Sequence, residues 1–132
     1  KKMTKMDPLA DSLIAIKNAE RAVIKECHCR PASKLLGKIL DVMKDTGYIE
    51  GYETIDDGRE NIYQIKLAGK INECRAIKPR YAVKNNEIEK YEKRYLPSKD
   101  IGIIIISTPQ GVFTHKEVLK KHLGGRLLAY IY

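Results

Sequence analysis

Two groups of residues could bind a metal ion or act as a nucleophile. The first is CHC at residues 27–29, because thiolates and imidazoles are common metal ligands. A structural zinc site takes two cysteines with a short spacer and a second pair elsewhere, and the remaining Cys74, His115 and His122 show no paired spacing. We therefore expect small buried thiols on a strand, with no metal ion.

The second is a serine–histidine combination. Ser107 does not stand in G-x-S-x-G, the nucleophile elbow of many hydrolases. His115 and His122 have no carboxylate or cysteine spaced to orient them, so we expect two surface histidines. No phosphate-binding glycine loop of the form GxxxxGK[ST] or GxGxxG occurs. The sequence thus predicts no enzyme, no cofactor and no small-molecule substrate.

A cluster of short polar residues, STPQG, follows the apolar run at 101–106. The hydroxyls of Ser107 and Thr108 both donate and accept, which suits the 2′-hydroxyls and phosphates of an RNA minor groove. The amide of Gln110 can read a base edge, and Gly111 lacks a Cβ, so a ligand backbone can come close. Since a buried strand would hold this tip rigidly, it is a candidate RNA contact. An ordinary turn between a strand and a helix explains the same composition equally well.

The segment KPRYAV is a second candidate for RNA binding. Lys78 and Arg80 are expected to contact phosphates. Tyr81 could stack on an unpaired base, although we favour a core position for this ring.

Composition and charge narrow the class of protein. The chain has 132 residues, 43% of them hydrophobic, which suits one domain or two very small ones. Its net charge is +8, and residues 71–132 hold 12 Lys and Arg against 6 Asp and Glu. A basic half fits a nucleic acid, but incidental surface charge is an equal alternative. The first residues do not resemble a signal peptide and no apolar run is long enough for a membrane span, so we expect a cytoplasmic protein with reduced thiols.

Periodicity predicts an α+β fold. Residues 1–70 are expected to form an α-β-α-β-β domain, with a first helix capped by Asp7 and a second beginning near Ser33 and stopping at Gly47. Residues 71–132 are expected to form a mainly β, RNA-binding domain packed against the first. In this second part we predict a buried strand at 101–106, a short exposed helix ending before Pro97, and a helix capped by Thr114 and Glu117 that ends at the glycine pair 124–125.

Four segments taken together resemble a known family. They are MDPLADSLIAIKNA, PASKLLGKIL followed by TGYI, STPQGVFTHKEV and GGRLLAYIY. In this order they resemble small-subunit ribosomal protein eight, the S-eight family, over nearly the whole chain. KPRYAV and YLPSKDIGIIIIS are more similar to its archaeal and eukaryotic branch.

The resemblance implies a primary rRNA-binding protein of the small subunit. It would bind a helix of the central domain of the small-subunit rRNA during assembly, contact neighbouring ribosomal proteins, and in some members bind its own messenger RNA. The family's tip maps onto Ser107, Thr108, Gln110 and Gly111. The resemblance also implies RNA contacts in the N-terminal part, where the candidates are Thr4, Lys5, Ser33 and Lys34.

Two departures from bacterial members affect the site. Gln110 stands where they usually have a basic residue, and Arg126 stands where they often have an acidic one after the glycine pair. Arg126 could contact a phosphate, but a family role that depends on a carboxylate is not expected there. The alternative function is a protein-interaction module, in which one face of RLLAYIY or the apolar run docks a partner.

Overall fold

A computed structural model of the chain describes residues 8–29, 33–56, 58, 61–98 and 100–132. These residues form helices and strands in nearly equal measure, which confirms the α+β prediction. The helices and strands in chain order are α1 (Pro8–Arg21), β1 (Glu26–Cys29), α2 (Lys34–Asp45), β2 (Ile49–Asp56), β3 (Asn61–Leu67), β4 (Cys74–Ala76), β5 (Ala82–Val83), α3 (Ile88–Tyr95), β6 (Ile103–Thr108), β7 (Gly111–Thr114), α4 (His115–Lys120) and β8 (Gly125–Ile131), with a 3-10 turn at Asn85–Glu87 before α3. No helix in the described ranges is long and apolar enough to cross a membrane.

The first sheet has the strand order β1-β3-β2 and is antiparallel throughout. Helix α2 packs beside it and begins as predicted, because the Ser33 hydroxyl accepts a hydrogen bond from the Leu36 amide at 3.1 Å. The helix ends at Asp45, and Gly47 follows with φ of +84°, a conformation that favours glycine. The predicted cap of α1, Asp7, lies outside the described residues.

The second sheet has the order β4-β8-β6-β7, and β5 pairs with β8. Strand β6 is central, and the first four of its six residues, Ile103 to Ile106, are buried on both faces. Strand β8 pairs with β4, β5 and β6, and its residues 127–129 and 131 are also buried. Most of this strand therefore belongs to the core, whereas Tyr130 and the following Tyr132 are half-buried, and a docking face on this segment stays an alternative.

Four details of the second part differ from the predictions. The buried strand begins at Ile103, whereas Ile101 is 52% exposed in an isolated bridge to Ser98. Helix α3 is not simply exposed, because it buries Ile88, Tyr91 and Glu92 against the sheet. Strand β7 was not predicted. Helix α4 ends at Lys120, before the glycine pair.

One large apolar cluster contains residues from both sides of position 70. Leu13 of α1 and Ile65 of β3 belong to it, and so do Ile105 and Ile131 of the second sheet. A smaller cluster lies on the other face of the second sheet, beneath α3 and α4. The two sheets fall within the predicted ranges 1–70 and 71–132, and a domain boundary at residue 70 stays a prediction.

Candidate nucleic-acid interface

The STPQG tip is the turn of a β-hairpin. Thr108 at the end of β6 pairs with Gly111 at the start of β7, and Pro109 and Gln110 are exposed between them. Gly111 has φ of +139°, in the region that favours glycine. The tip therefore connects two strands and not a strand and a helix, so it is held by hydrogen bonds on both sides.

The two hydroxyls of the tip have different environments. The Thr108 hydroxyl donates to the Gly111 carbonyl at 2.8 Å and accepts from the Gln110 amide at 3.1 Å. It is therefore mainly a turn-stabilising group, with one acceptor site left. The half-buried Ser107 hydroxyl makes no hydrogen bond to a described residue. Of the two tip hydroxyls, that of Ser107 is thus the one whose donor is free for a ligand.

The glycine pair lets three strands approach closely beside the tip. A Cβ on Gly125 would lie 2.2 Å from the Ser107 carbonyl oxygen, and a Cβ on Gly124 would lie 2.8 Å from the Val83 carbonyl oxygen. Because both obstacles are backbone atoms, a larger residue would push the strands apart. The tip, β5 and the glycine pair together line a shallow groove that ends at Arg126.

Two arginines lie next to this groove. Arg126 pairs with Ser107 across β8 and β6, and its Nη1 donates to the Arg80 carbonyl at 3.2 Å. Both residues are exposed. The fold therefore brings the candidate Arg80 beside the tip, together with Arg126, for which a phosphate contact was left open. Lys78 is exposed in the same loop between β4 and β5.

On its other side the tip faces helix α2 across a cleft. Gln110 and Gly111 line this cleft together with Lys38, and the acidic side chains there are those of Asp41, Asp45 and Glu117. Lys38 was missed by the sequence prediction. Its signal was the spacing of four from the candidate Lys34, which places both residues on one side of a helix.

The candidate RNA contacts in the N-terminal part lie in different environments. The Ser33 hydroxyl caps α2 and its carbonyl accepts from the Tyr63 hydroxyl at 2.9 Å, so its hydroxyl has a structural role. Lys34 is exposed at the start of the same helix. Thr4 and Lys5 lie outside the described residues.

The residues considered for metal binding and catalysis are mostly buried. The Cys27 and Cys29 thiols are 4.0 Å apart on one buried face of β1, as expected, and burial raises the pKa of the Cys74 thiol to about 12. His115, expected on the surface, is fully buried instead. Its Nε2 lies 2.9 Å from the Glu92 carboxylate, and its Nδ1 accepts from the Ile104 amide at 3.1 Å.

A small α+β protein with a rigid hairpin of short polar groups beside two arginines has the features of an RNA-binding protein. Residues 7–132 match the family model described as Ribosomal protein S8, and the chain belongs to that family. It is therefore a small-subunit ribosomal protein that binds rRNA, as the resemblance implied, and it belongs to a family of structural proteins of the ribosome. Membership also implies contacts with other ribosomal proteins and a place in the cytoplasmic ribosome. Its assignment to the archaeal and eukaryotic branch stays a prediction.

Proposed function

We propose that this protein binds a helix of the central domain of the small-subunit rRNA early in assembly, with the β6–β7 hairpin as its main contact. The observation that supports the hairpin most directly is the Ser107 hydroxyl, which bonds to no described residue and directly follows four buried residues of β6. A rigid strand fixes the position of that hydroxyl before binding, so little entropy is lost when it engages RNA. The central-domain helix is what the family resemblance implies.

The chemistry of the hairpin suits the backbone and sugar edge of RNA. The Ser107 hydroxyl donates to a 2′-hydroxyl or a phosphate oxygen, and the exposed Gln110 amide reads a base edge. Thr108 keeps the turn in shape, and Gly111 leaves room for the RNA backbone. Because a regular A-form helix hides its base edges in a deep groove, the target would be a distorted helix with unpaired bases.

The arginines beside the groove would supply the salt-dependent part of the affinity. Arg80 and Arg126 are exposed next to Ser107, and Lys78 lies in the same loop as Arg80. Each phosphate that such a cation neutralises releases counterions and steepens the dependence of affinity on salt. Secondary contacts are proposed at Ser33, Lys34, Thr4 and Lys5, and Lys38 on α2 joins them.

Ser107→Ala tests the hairpin by filter binding to a transcript of the central domain. We expect a loss of about 1–2 kcal/mol, the value of a hydrogen bond to a charged or buried partner, with no change in the melting temperature. The double variant with Thr108→Ala is expected to lose about 2–4 kcal/mol of binding free energy. Its hairpin should also be less stable than that of the wild type, because the Thr108 hydroxyl bonds within the turn are lost. Ser98→Ala, an exposed serine beside β6, is the matched control. Full affinity in the double variant would refute the hairpin as the main contact.

Crosslinking in cells, followed by sequencing of the attached RNA, tests the choice of target. The proposal requires fragments from the central domain, and fragments from the protein's own messenger would support feedback control. Recovery of these rRNA fragments from assembly intermediates would support an early role. Fragments confined to other domains of the rRNA would overturn the central-domain assignment.

A further inference from the structure

Five tyrosines form a continuous row along the edge of the smaller apolar cluster. Neighbouring ring centroids are 5.2 to 6.3 Å apart, and the planes of neighbouring rings differ by only 11° to 28°. The row begins at the loop that carries Arg80 and ends beyond the last residue of β8. Its members, in order, are Tyr81, Tyr91, Tyr95, Tyr130 and Tyr132.

The spacing of these residues explains the row. Tyr91 and Tyr95 are four apart on α3, so they lie on one side of the helix. Tyr130 and Tyr132 are two apart along the chain at the end of β8, so they lie on one face of the sheet. Tyr81 is half-buried and packs against Tyr91, so it is partly a core residue as expected.

The hydroxyls of the row have donors that no described residue uses. None of the five hydroxyls makes a hydrogen bond to a described residue, and none of their oxygens is sealed away from solvent. Neighbouring rings are nearly parallel, and the cations of Lys90 and Arg94 lie over the inner rings of Tyr91 and Tyr95. A hydrogen-bond acceptor can therefore reach a series of phenolic donors along the row.

Cations accompany the row from end to end. The guanidinium of Arg94 lies 5.9 Å from the centre of the Tyr81 ring and 5.5 Å from that of Tyr95. The Lys90 amine lies 5.5 Å from the centre of the Tyr91 ring. Arg75 on β4 pairs directly with Tyr130 and is exposed.

Most nearby acidic side chains already have partners. Glu92 is buried against His115, and Glu87 accepts a hydrogen bond from the Lys84 amide at 2.8 Å. Glu73 lies 2.9 Å from the Lys17 amine, which holds the pKa of that carboxyl below its ordinary value. On α3 only Glu89 remains as an exposed acid, so the surface beside the row has a positive balance.

We infer that the tyrosine row is a second rRNA-binding surface, which takes the sugar-phosphate backbone of a strand outside the helix held by the hairpin. This inference rests on the proposed function, since the occupant is the same rRNA. Phenolic donors that alternate with cations match a row of phosphates, whose oxygens accept hydrogen bonds and carry negative charge. The binding is independent of base sequence, because neither group reaches a base edge.

Two variants test the inference with defined chemistry. The hydroxyl variant replaces Tyr95, Tyr130 and Tyr132 by Phe, which removes the donors and keeps the rings. The charge variant combines Arg75→Gln with Arg94→Gln. Each is measured by filter binding against deproteinised full-length small-subunit rRNA and against a short transcript of the central-domain helix alone.

We expect both variants to bind full-length rRNA at least about tenfold more weakly, because each loses two or three contacts to charged acceptors. Their affinity for the short transcript should be unchanged. The charge variant should also lower the slope of log affinity against log salt by roughly one to two on full-length rRNA. Tyr48→Phe, at a half-buried tyrosine, and Lys25→Gln, at an exposed lysine, both lie in the first part and are controls that should change neither affinity.

Wild-type affinity of both variants for full-length rRNA would overturn the inference. Equal losses on both RNAs would also overturn it, because the row would then contact the hairpin's own helix. If the variants bind deproteinised rRNA normally but fail to enter the subunit, the row contacts a protein and the inference is wrong. Ser107→Ala serves as the separate test of the hairpin, since it should weaken binding to both RNAs.

Discussion

The imidazole Nε2 of His115 lies 2.9 Å from the Glu92 carboxylate, in the interior between α4 and α3. The other ring nitrogen, Nδ1, accepts a hydrogen bond from the backbone amide of Ile104. His115 therefore donates from Nε2 and links both helices to the central strand of the second sheet. Since that strand continues to Ser107, the histidine supports the strand that carries the hairpin.

Replacing His115 by alanine should destabilise the fold without removing an RNA contact. The change leaves a cavity, an unpaired Ile104 amide and a poorly solvated Glu92 carboxylate, so we expect a loss of about 2–4 kcal/mol in the free energy of unfolding. Urea denaturation measures this loss. His122→Asn is the control, because His122 is exposed with φ of +56° and asparagine tolerates that conformation. A variant as stable as the wild type would show that the buried pair contributes little.

Mild acid should also destabilise the protein through His115. Burial lowers the pKa of the imidazole below its ordinary value, and the neighbouring Glu92 carboxylate only partly offsets this. The unfolded chain therefore binds a proton near pH 6.5 while the folded chain does not, so the free energy of unfolding falls as the pH drops below that value.

The pH dependence is measured by urea denaturation at a series of pH values between about 7 and 5. His115→Gln should remove this part of the dependence, because glutamine does not titrate. An identical dependence in wild type and His115→Gln would assign the acid sensitivity to other groups.

Local patterns in the sequence predicted those features that depend on local contacts. The start of α2 near Ser33 was correct, and so was the cap of α4, where Thr114 accepts from the Glu117 amide at 3.3 Å. Each is set by residues within one or two helical turns. The family was also predictable, because its segments occur in order along the chain.

The features that were missed depend on contacts between distant residues. His115 and Glu92 are 23 residues apart, and Arg126 and Arg80 are 46 apart, so no spacing rule relates them. Strand β7 has only four residues, too few to show an alternating pattern beside a turn. The tyrosine row joins one strand, a helix and a loop, and only the fold brings these together.

The Thr108 hydroxyl should stabilise the hairpin turn, which Thr108→Val tests. Valine keeps the branched shape but removes the bonds to the Gly111 carbonyl and the Gln110 amide. We expect the Gln110 amide to exchange its hydrogen about tenfold faster, which corresponds to about 1.4 kcal/mol. Thr108→Ser keeps the hydroxyl and should exchange nearly as slowly as wild type. Equal rates in all three proteins would mean that the hydroxyl does not hold the turn.

The closeness of β6 and β8 makes Gly125 a sensitive position. A Cβ there would lie 2.2 Å from the Ser107 carbonyl oxygen, so Gly125→Ala must move one strand away from the other beside the hairpin. We expect the free energy of unfolding to fall by about 1–3 kcal/mol, as for overpacked cores, and the affinity for the central-domain transcript to fall because Ser107 is displaced. Gly51→Ala, in β2 with open space around the added carbon, should change neither quantity. Urea denaturation and filter binding measure the two, and a Gly125→Ala protein with wild-type stability and affinity would show that the strands adjust at no cost.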